Sequence, residues 1–357
     1  MIYALGRSLE FNKLFEAPVS NNAWNLIKDS YAIVGRGRDA IELIAKELKL
    51  QKDDEVLVPA FSCEIITTTI LKYACVKFYD INEDLSINID KIKEKISLNT
   101  KAIFFIHYFG FYANGVIEEL EEIGLPLIED ATHMWFNGRN NYSDYYLASL
   151  RKLLPVPMGC VLTGRHFIGR QTIVKFLNFN ALATEIIRCV GLLCANIYQQ
   201  RPSSLLKWIT SNICWQSEKY LETRNEIPKI TALTKQLLKG FDVRQENAER
   251  RIRYELLAAP FNLRKEIKLI RPFLLEEDCP FAIPLRVQNQ ELWRRAFIYS
   301  GIQALALWKL SRFVKPDDFP VATKLASEIL LVPLVAVDAG KNSNNIYNKF
   351  FDSLKTE

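Results

Sequence analysis

The chain has 357 residues, of which 49% are hydrophobic and 24% charged. This is a globular make-up with more sequence than one simple core needs, so a large domain and a smaller one are expected. The net charge of +5 comes from basic residues scattered along the chain rather than gathered in a block, which leaves no electrostatic footprint for nucleic acid.

Cysteines stand at positions 63, 75, 160, 189, 194, 214 and 279, with no C-x-x-C pair, and histidines only at 107, 133 and 166. That pattern argues against a secreted disulfide framework and against a metal site, and for reduced thiols in a cytoplasmic protein. Residues 1–10 lack a cationic start followed by an apolar core, so no signal peptide is expected.

Along the chain, Ile41, Leu43, Ile44 and Leu48 share one helical face within 39–50. After Asp53-Asp54-Glu55 the run Val56-Leu57-Val58 reads as a strand that stops at Pro59. The alternation repeats: helix over 63–73, strand over 76–79, helix over 89–96, strand over 102–107, helix over 116–123, then Pro126-Leu127-Ile128 as a strand leading into Glu129-Asp130. Two more strands are expected at 145–149 and 160–163. Helices alternating with short apolar strands predict a mostly parallel sheet covered on both faces, with ligands at the carboxyl ends of the strands.

From about 167 to 258 the pattern turns helical. Its most apolar stretch, 186–197, contains Arg188 and is too short to span a bilayer, so it reads as a buried or interface helix. A smaller alternating unit follows, with a strand over 282–287, a helix over 291–299, a strand over 329–332 and a closing helix over 345–354. The expected division is a large domain over 1–258, with a helical extension from about 167, and a small α+β domain over 259–357.

The chemistry concentrates between Leu127 and Gly164, in L-I-E-D-A-T-H-M-W followed by Y-L-A-S-L-R-K-L-L-P-V-P-M-G-C-V-L-T-G. Asp130 ends one strand, His133 follows it, and Ser149 and Lys152 end the next. A lysine, a carboxylate and a hydroxyl near a helix N-terminus are the groups that pyridoxal-phosphate chemistry needs: an amine for the aldehyde, an anion for the pyridine nitrogen and donors for the phosphate. Read singly, each has a plainer use. Asp130 would cap a helix, Lys152 would be solvated, and His133 would be a hydrogen-bonded core histidine. His107, in an apolar strand, is either core or pocket lining. The cysteines read as small core residues, and Arg244, Arg250, Arg251 and Arg253 as a solvated face or a subunit contact.

Together with G-R-D-A-I near the start, D-E-V-L-V-P, K-A-I-F-F-I-H-Y-F-G and I-E-D-A-T-H, the segment resembles the DegT/DnrJ/EryC1/StrS family of PLP-dependent sugar aminotransferases. It is similar to the variant whose lysine signature is S-x-R-K-x-x-P-x-P. The resemblance implies the type I PLP-dependent transferase fold: an α/β large domain with a mainly parallel seven-stranded sheet, a small C-terminal α+β domain, and a homodimer. It implies that Lys152 forms the Schiff base and shuttles protons, that Asp130 pairs with the pyridinium nitrogen, and that His133 lies beside the ring. Ser149 and the backbone near Gly37 and Arg38 would bind the phosphate. Phe61 or Cys63 would lie against the ring.

The implied reaction takes an amino group from an amino acid, glutamate in the family's usual case, to a keto sugar linked to a nucleotide, for surface polysaccharide or a secondary metabolite. Two departures stand out. Pro157-Met158-Gly159-Cys160 replaces the family's P-D-G-G, and Gly35-Arg36-Gly37-Arg38 lacks the usual hydroxyl but offers arginines for a phosphate or an anionic substrate. Two alternatives are left open: a PLP enzyme of the same fold with other chemistry or a non-sugar ketone, and a non-catalytic scaffold relative.

Overall fold

The computed structural model describes residues 9–113, 116–134, 143–167, 179–201, 203–222, 227, 230–263, 266–300 and 302–334. The closing helix expected over 345–354 lies outside them. Seven strands, β1 (Ala32–Val34), β2 (Glu55–Pro59), β3 (Cys75–Tyr79), β4 (Thr100–Ile106), β5 (Leu127–Asp130), β6 (Tyr145–Ser149) and β7 (Cys160–Thr163), form a sheet in the order β1-β7-β6-β5-β4-β2-β3. β2 runs parallel to β3 and β4, and β5 to β6. β7 is antiparallel to both its neighbours.

The composition of the strands explains their place. Six of the seven residues of β4 and all five of β6 are buried, as befits strands covered on both faces. A second sheet of three antiparallel strands, in the order β10-β9-β8, joins β8 (Ile267–Leu269), β9 (Ala282–Val287) and β10 (Ile329–Pro333). The helices are α1 (Ala23–Ile27), α2 (Gly37–Glu47), α3 (Glu64–Ile70), α4 (Ile89–Lys93), α5 (Ile117–Glu122), α6 (Phe179–Gln200), α7 (Ser204–Glu222), α8 (Ala232–Lys239), α9 (Val243–Ala258), α10 (Gln290–Tyr299) and α11 (Pro320–Glu328).

Two compact units emerge from the contacts, one within 7–44 and 128–248, the other within 45–127 and 249–357. In the first, α6 and α7 pack as a helical hairpin joined by three residues. Asn22 caps α1 by accepting from the Asn25 N–H at 2.8 Å, and Thr231 caps α8 by accepting from the Leu233 N–H.

In the second unit, Asp80 accepts the N–H groups of Val321 and Ala322 at 3.0 and 2.8 Å and so closes the N-terminus of α11. Gly110 has φ +92°, and a Cβ there would stand 2.0 Å from the Cys279 carbonyl oxygen. Only glycine lets the two backbones meet, and Cys279 N–H donates to the Gly110 carbonyl across this gap at 2.9 Å.

The arginines of α9 correct an expectation. Arg250 is buried and donates to the Pro280 carbonyl. Arg251 donates to the carbonyls of Leu275 and Asp278, both at 2.7 Å. These two side chains hold the 275–280 loop rather than forming a solvated face, because a guanidinium can serve several carbonyls at once.

Candidate active site

Register brings one end of the first unit's strands together. β5 and β6 run parallel with Asp130 opposite Leu147, so Ser149 lies two residues further toward the same end. β7 runs the other way and therefore begins where β6 finishes, with Cys160 paired to Ser149. Cys160 also pairs with Val34, the last residue of β1, from which Gly35 and Arg36 lead directly into α2. The C-terminal ends of β1, β5 and β6 and the N-terminus of α2 thus share one edge. Two backbone bonds fix the junction: Gly159 N–H donates to the Gly35 carbonyl at 3.0 Å, and Leu150 N–H to the Gly159 carbonyl at 2.9 Å. Gly159 has φ +134°, which a side chain would not tolerate, so this glycine of the departed P-M-G-C motif is a backbone requirement.

The expected site residues can be placed on that frame. Asp130 is buried, and its Oδ1 accepts the Thr132 N–H at 2.8 Å, an Asx turn that points the chain away from the strand. His133 is buried in that turn. Ser149 is buried at the end of β6, and its hydroxyl does not cap the 3₁₀ turn Leu150–Lys152 that follows. Lys152, the last residue of the turn, is half-buried and is followed by buried Leu153 and Leu154. At Gly37 an added Cβ would meet nothing within 4 Å, so open space adjoins the N-terminus of α2. Arg38 is half-buried beside it.

Arg36 is engaged elsewhere. It is 5% exposed, its Nε lies 3.0 and 2.9 Å from the two carboxylate oxygens of Asp39, and its Nη2 lies 2.6 Å from Oδ1. Such a chelated, buried pair is a structural clamp. Burial raises the pKa of Asp39 above the ordinary value even though Arg36 pulls it down. Of the two arginines considered for an anion, Arg38 is the one whose side chain is not locked in this pair.

Cys160 is fully buried, and its thiol is pushed well above the usual range, first by burial and then by the charges of Asp130 and Asp39. It is a packing residue close to two carboxylates, not a nucleophile.

Sequence reasoning gave no role to two groups on α6. Arg188 is buried and its Nε donates to the Pro157 carbonyl at 2.5 Å, so α6 grips the loop that follows Lys152. Glu185 is fully buried and accepts from the Thr231 N–H at 2.8 Å, the Thr231 hydroxyl at 2.5 Å and the Thr234 N–H at 3.4 Å. Burial raises its pKa. The one available signal was a lone Glu and a lone Arg three apart in a helix with no other charged residue, since ionised groups in such a setting usually have assigned partners.

The second unit holds the other candidates. Phe61 is fully buried, stacked on Tyr108 with ring centroids 5.8 Å apart and meeting Trp308 edge-on at 5.7 Å. Cys63 is half-buried just before α3. His107 is core: it is fully buried, its Nδ1 accepts the Ala113 N–H at 3.1 Å, and its ring stacks on Tyr112.

The fold is that of the type I PLP-dependent aminotransferases. Aminotransferase TlmJ from Streptoalloteichus hindustanus superposes with a TM-score of 0.67 at 16% identity, covering 99% of this chain and 94% of that one. NtdA from Bacillus subtilis, solved with bound cofactor PMP, superposes with a TM-score of 0.61 at 17% identity, over 98% and 79% of the two chains.

Residues 11–136 match the sequence pattern of the DegT/DnrJ/EryC1/StrS aminotransferase family. GDP-perosamine synthase from Vibrio cholerae is 32% identical over 101 residues, a stretch that spans 27% of this chain and 28% of that relative.

Proposed function

We propose that the protein is a PLP-dependent aminotransferase that moves an amino group from an amino acid, glutamate in our reading, to a keto group on a nucleotide-linked sugar. The observation that carries this reading is the shared strand end: Asp130, the Ser149–Lys152 turn and the open N-terminus of α2 come to it from three separate chain segments. These groups fit the cofactor. A buried carboxylate can hold a pyridinium, and a hydroxyl with unfilled space at helix N–H groups can hold a phosphate. When bound, the cofactor supplies an electron sink for the substrate carbon.

The rest is the work of this chain. Lys152 Nζ would hold the cofactor and, once displaced by the incoming amine, would carry the proton to and from the reacting carbon. Asp130 would keep the pyridine nitrogen protonated, and His133 would pack beside the ring. Ser149 with the Gly37 and Arg38 N–H groups would anchor the phosphate. Phe61 or Cys63 would lie against the ring.

We place the PLP-binding domain in 1–258 and the small domain in 259–357. We expect a homodimer in the cytoplasm, acting on precursors of surface polysaccharide or a secondary metabolite. The sugar substrate follows the family match and the relative GDP-perosamine synthase.

The test is the visible absorption spectrum of the purified protein and of Lys152→Ala, before and after glutamate. We expect a cofactor band that is altered in Lys152→Ala, declines with glutamate in the native protein, and does not decline in the variant. Turnover should fall on the order of 10²–10⁴-fold in the variant. A band indifferent to glutamate would move the donor to another amino acid, and no binding of added PLP would overturn the reading.

A further inference from the structure

The α6–α7 hairpin presents apolar side chains to solvent in two ordered stripes. On α6, Ile186, Val190 and Ile197 fall within a narrow arc and are all exposed, with half-buried Cys194 between them, while Cys189, Leu192 and Ala195 on the other side are buried. On α7, Leu205, Trp208 and Trp215 share the outward face, with the two indoles 65% and 59% exposed. Large aromatic groups this exposed and aligned are an interaction surface rather than scattered surface apolars.

Charge identifies the partner. Between Arg165 and Glu222 the sequence holds seven arginines and lysines against three acidic residues, Glu185, Glu218 and Glu222, and the Glu185 carboxylate is buried under Thr231. Arg201 is exposed at the tip of the hairpin, and exposed Lys219 sits 5.1 Å from the centre of the Trp215 ring. An anionic lipid surface answers both features. It accepts indoles and isoleucines at the depth of its headgroups and draws cations to its phosphates. Among the described residues, no helix is long and apolar enough to cross a membrane, so the contact lies in the interface plane.

We propose that the α6–α7 hairpin docks the protein on an anionic membrane surface through Ile186, Val190, Ile197, Leu205, Trp208 and Trp215, steered by Arg201 and Lys219. This site stands apart from the cofactor reading and is independent of it.

The test is flotation of the full-length, PLP-loaded protein with phosphatidylglycerol–phosphatidylcholine vesicles and with phosphatidylcholine vesicles. We expect flotation with the first and not the second, a blue shift of tryptophan emission, and release by salt. Arg201→Gln and Lys219→Gln should each weaken partitioning about fivefold, and Trp208→Ser/Trp215→Ser should abolish it. The thermal transition of each variant reports its folding, and if the double variant does not fold, the two charge variants decide. Failure of the native protein to float, or flotation unchanged in both charge variants, would overturn the proposal. So would conversion of a dimer to monomers by the tryptophan substitutions with vesicle binding intact, which would give the surface to a second copy.

Discussion

At the strand end formed by β1, β5, β6 and β7, polar and charged side chains are buried and held in place: Arg36 on Asp39, Asp130 in its own turn, Ser149 at a strand terminus. On the α6–α7 hairpin of the same unit, apolar side chains stand in solvent. Each region spends free energy against the ordinary partition of residues, in opposite directions. Burying an ion pair costs desolvation, and exposing indoles leaves apolar area in water. The two costs teach the same lesson. Where a sequence departs from inside-apolar, outside-polar, the departing groups have a partner to account for them: Asp39 for Arg36 at the strand end, and on the hairpin the surface proposed above.

The comparison breaks most visibly at the buried pair. Asp39→Ala should leave Arg36 charged, buried and without its carboxylate, and cost about 3–5 kcal/mol. Arg36→Met/Asp39→Leu should recover most of that, since an apolar pair of similar volume avoids the desolvation. Urea unfolding of the three proteins measures both steps. A loss within about 1 kcal/mol for Asp39→Ala would mean that the clamp is solvated after all.

A smaller contrast lies across α6 itself. Leu192→Ala, on the side facing the unit's interior, should destabilise by about 2–4 kcal/mol. Ile186→Ser, on the exposed stripe, should change stability by no more than about 0.5 kcal/mol while weakening vesicle binding. Equal losses at the two positions would place Ile186 against protein rather than solvent.

Much of this was legible in the residues. The strands over 145–149 and 160–163 and the carboxylate at the end of β5 were visible because continuous apolar runs, cut short by polar residues, mark strands buried on both faces. β1 escaped notice because Ala32–Val34 is three residues long, and its pairing with β7 is a tertiary fact. β8 escaped for a similar reason: Ile-Lys-Leu is too short to show a period. α11 begins at Pro320 and owes its N-terminus to Asp80, 240 positions earlier in the chain, so no local cap signals it. The arginines at 250 and 251 could not be read either, because their partners are backbone carbonyls about one loop away, and carbonyls carry no residue identity. The R-G-R-D spacing of Arg36 and Asp39 was readable as an i,i+3 pair, but not its burial.

Glu185 ties the hairpin to α8 and makes that link pH-dependent. Its folded-state pKa is raised above the ordinary 4.5, with burial the largest cause. Between 4.5 and the folded value the unfolded chain has lost this proton while the native chain keeps it. The contribution is therefore complete below 4.5 and is lost as pH rises through the folded value. Glu185→Gln should flatten that slope while still accepting the Thr231 N–H. Stability measured against pH for both proteins checks it, and parallel curves would remove Glu185 as the cause.

The finest test is thiol reactivity, because the cysteines sample both regions. Cys160 lies at the strand end with its thiol held well above the usual range, and Cys189 on the inner face of α6 is pushed up to about 12 by burial and by the charge of Glu185. Only a thiolate attacks a disulfide reagent, so both should stay silent in the folded protein. Among the cysteines whose exposure is described, exposed Cys75 should label first, and half-buried Cys63 and Cys194 more slowly. Anionic vesicles should slow Cys194, which lies in the exposed stripe, and leave Cys75 unchanged. Protection of Cys194 by vesicles would place lipid on that face of α6, and protection of both thiols alike would show only that the reagent is being excluded.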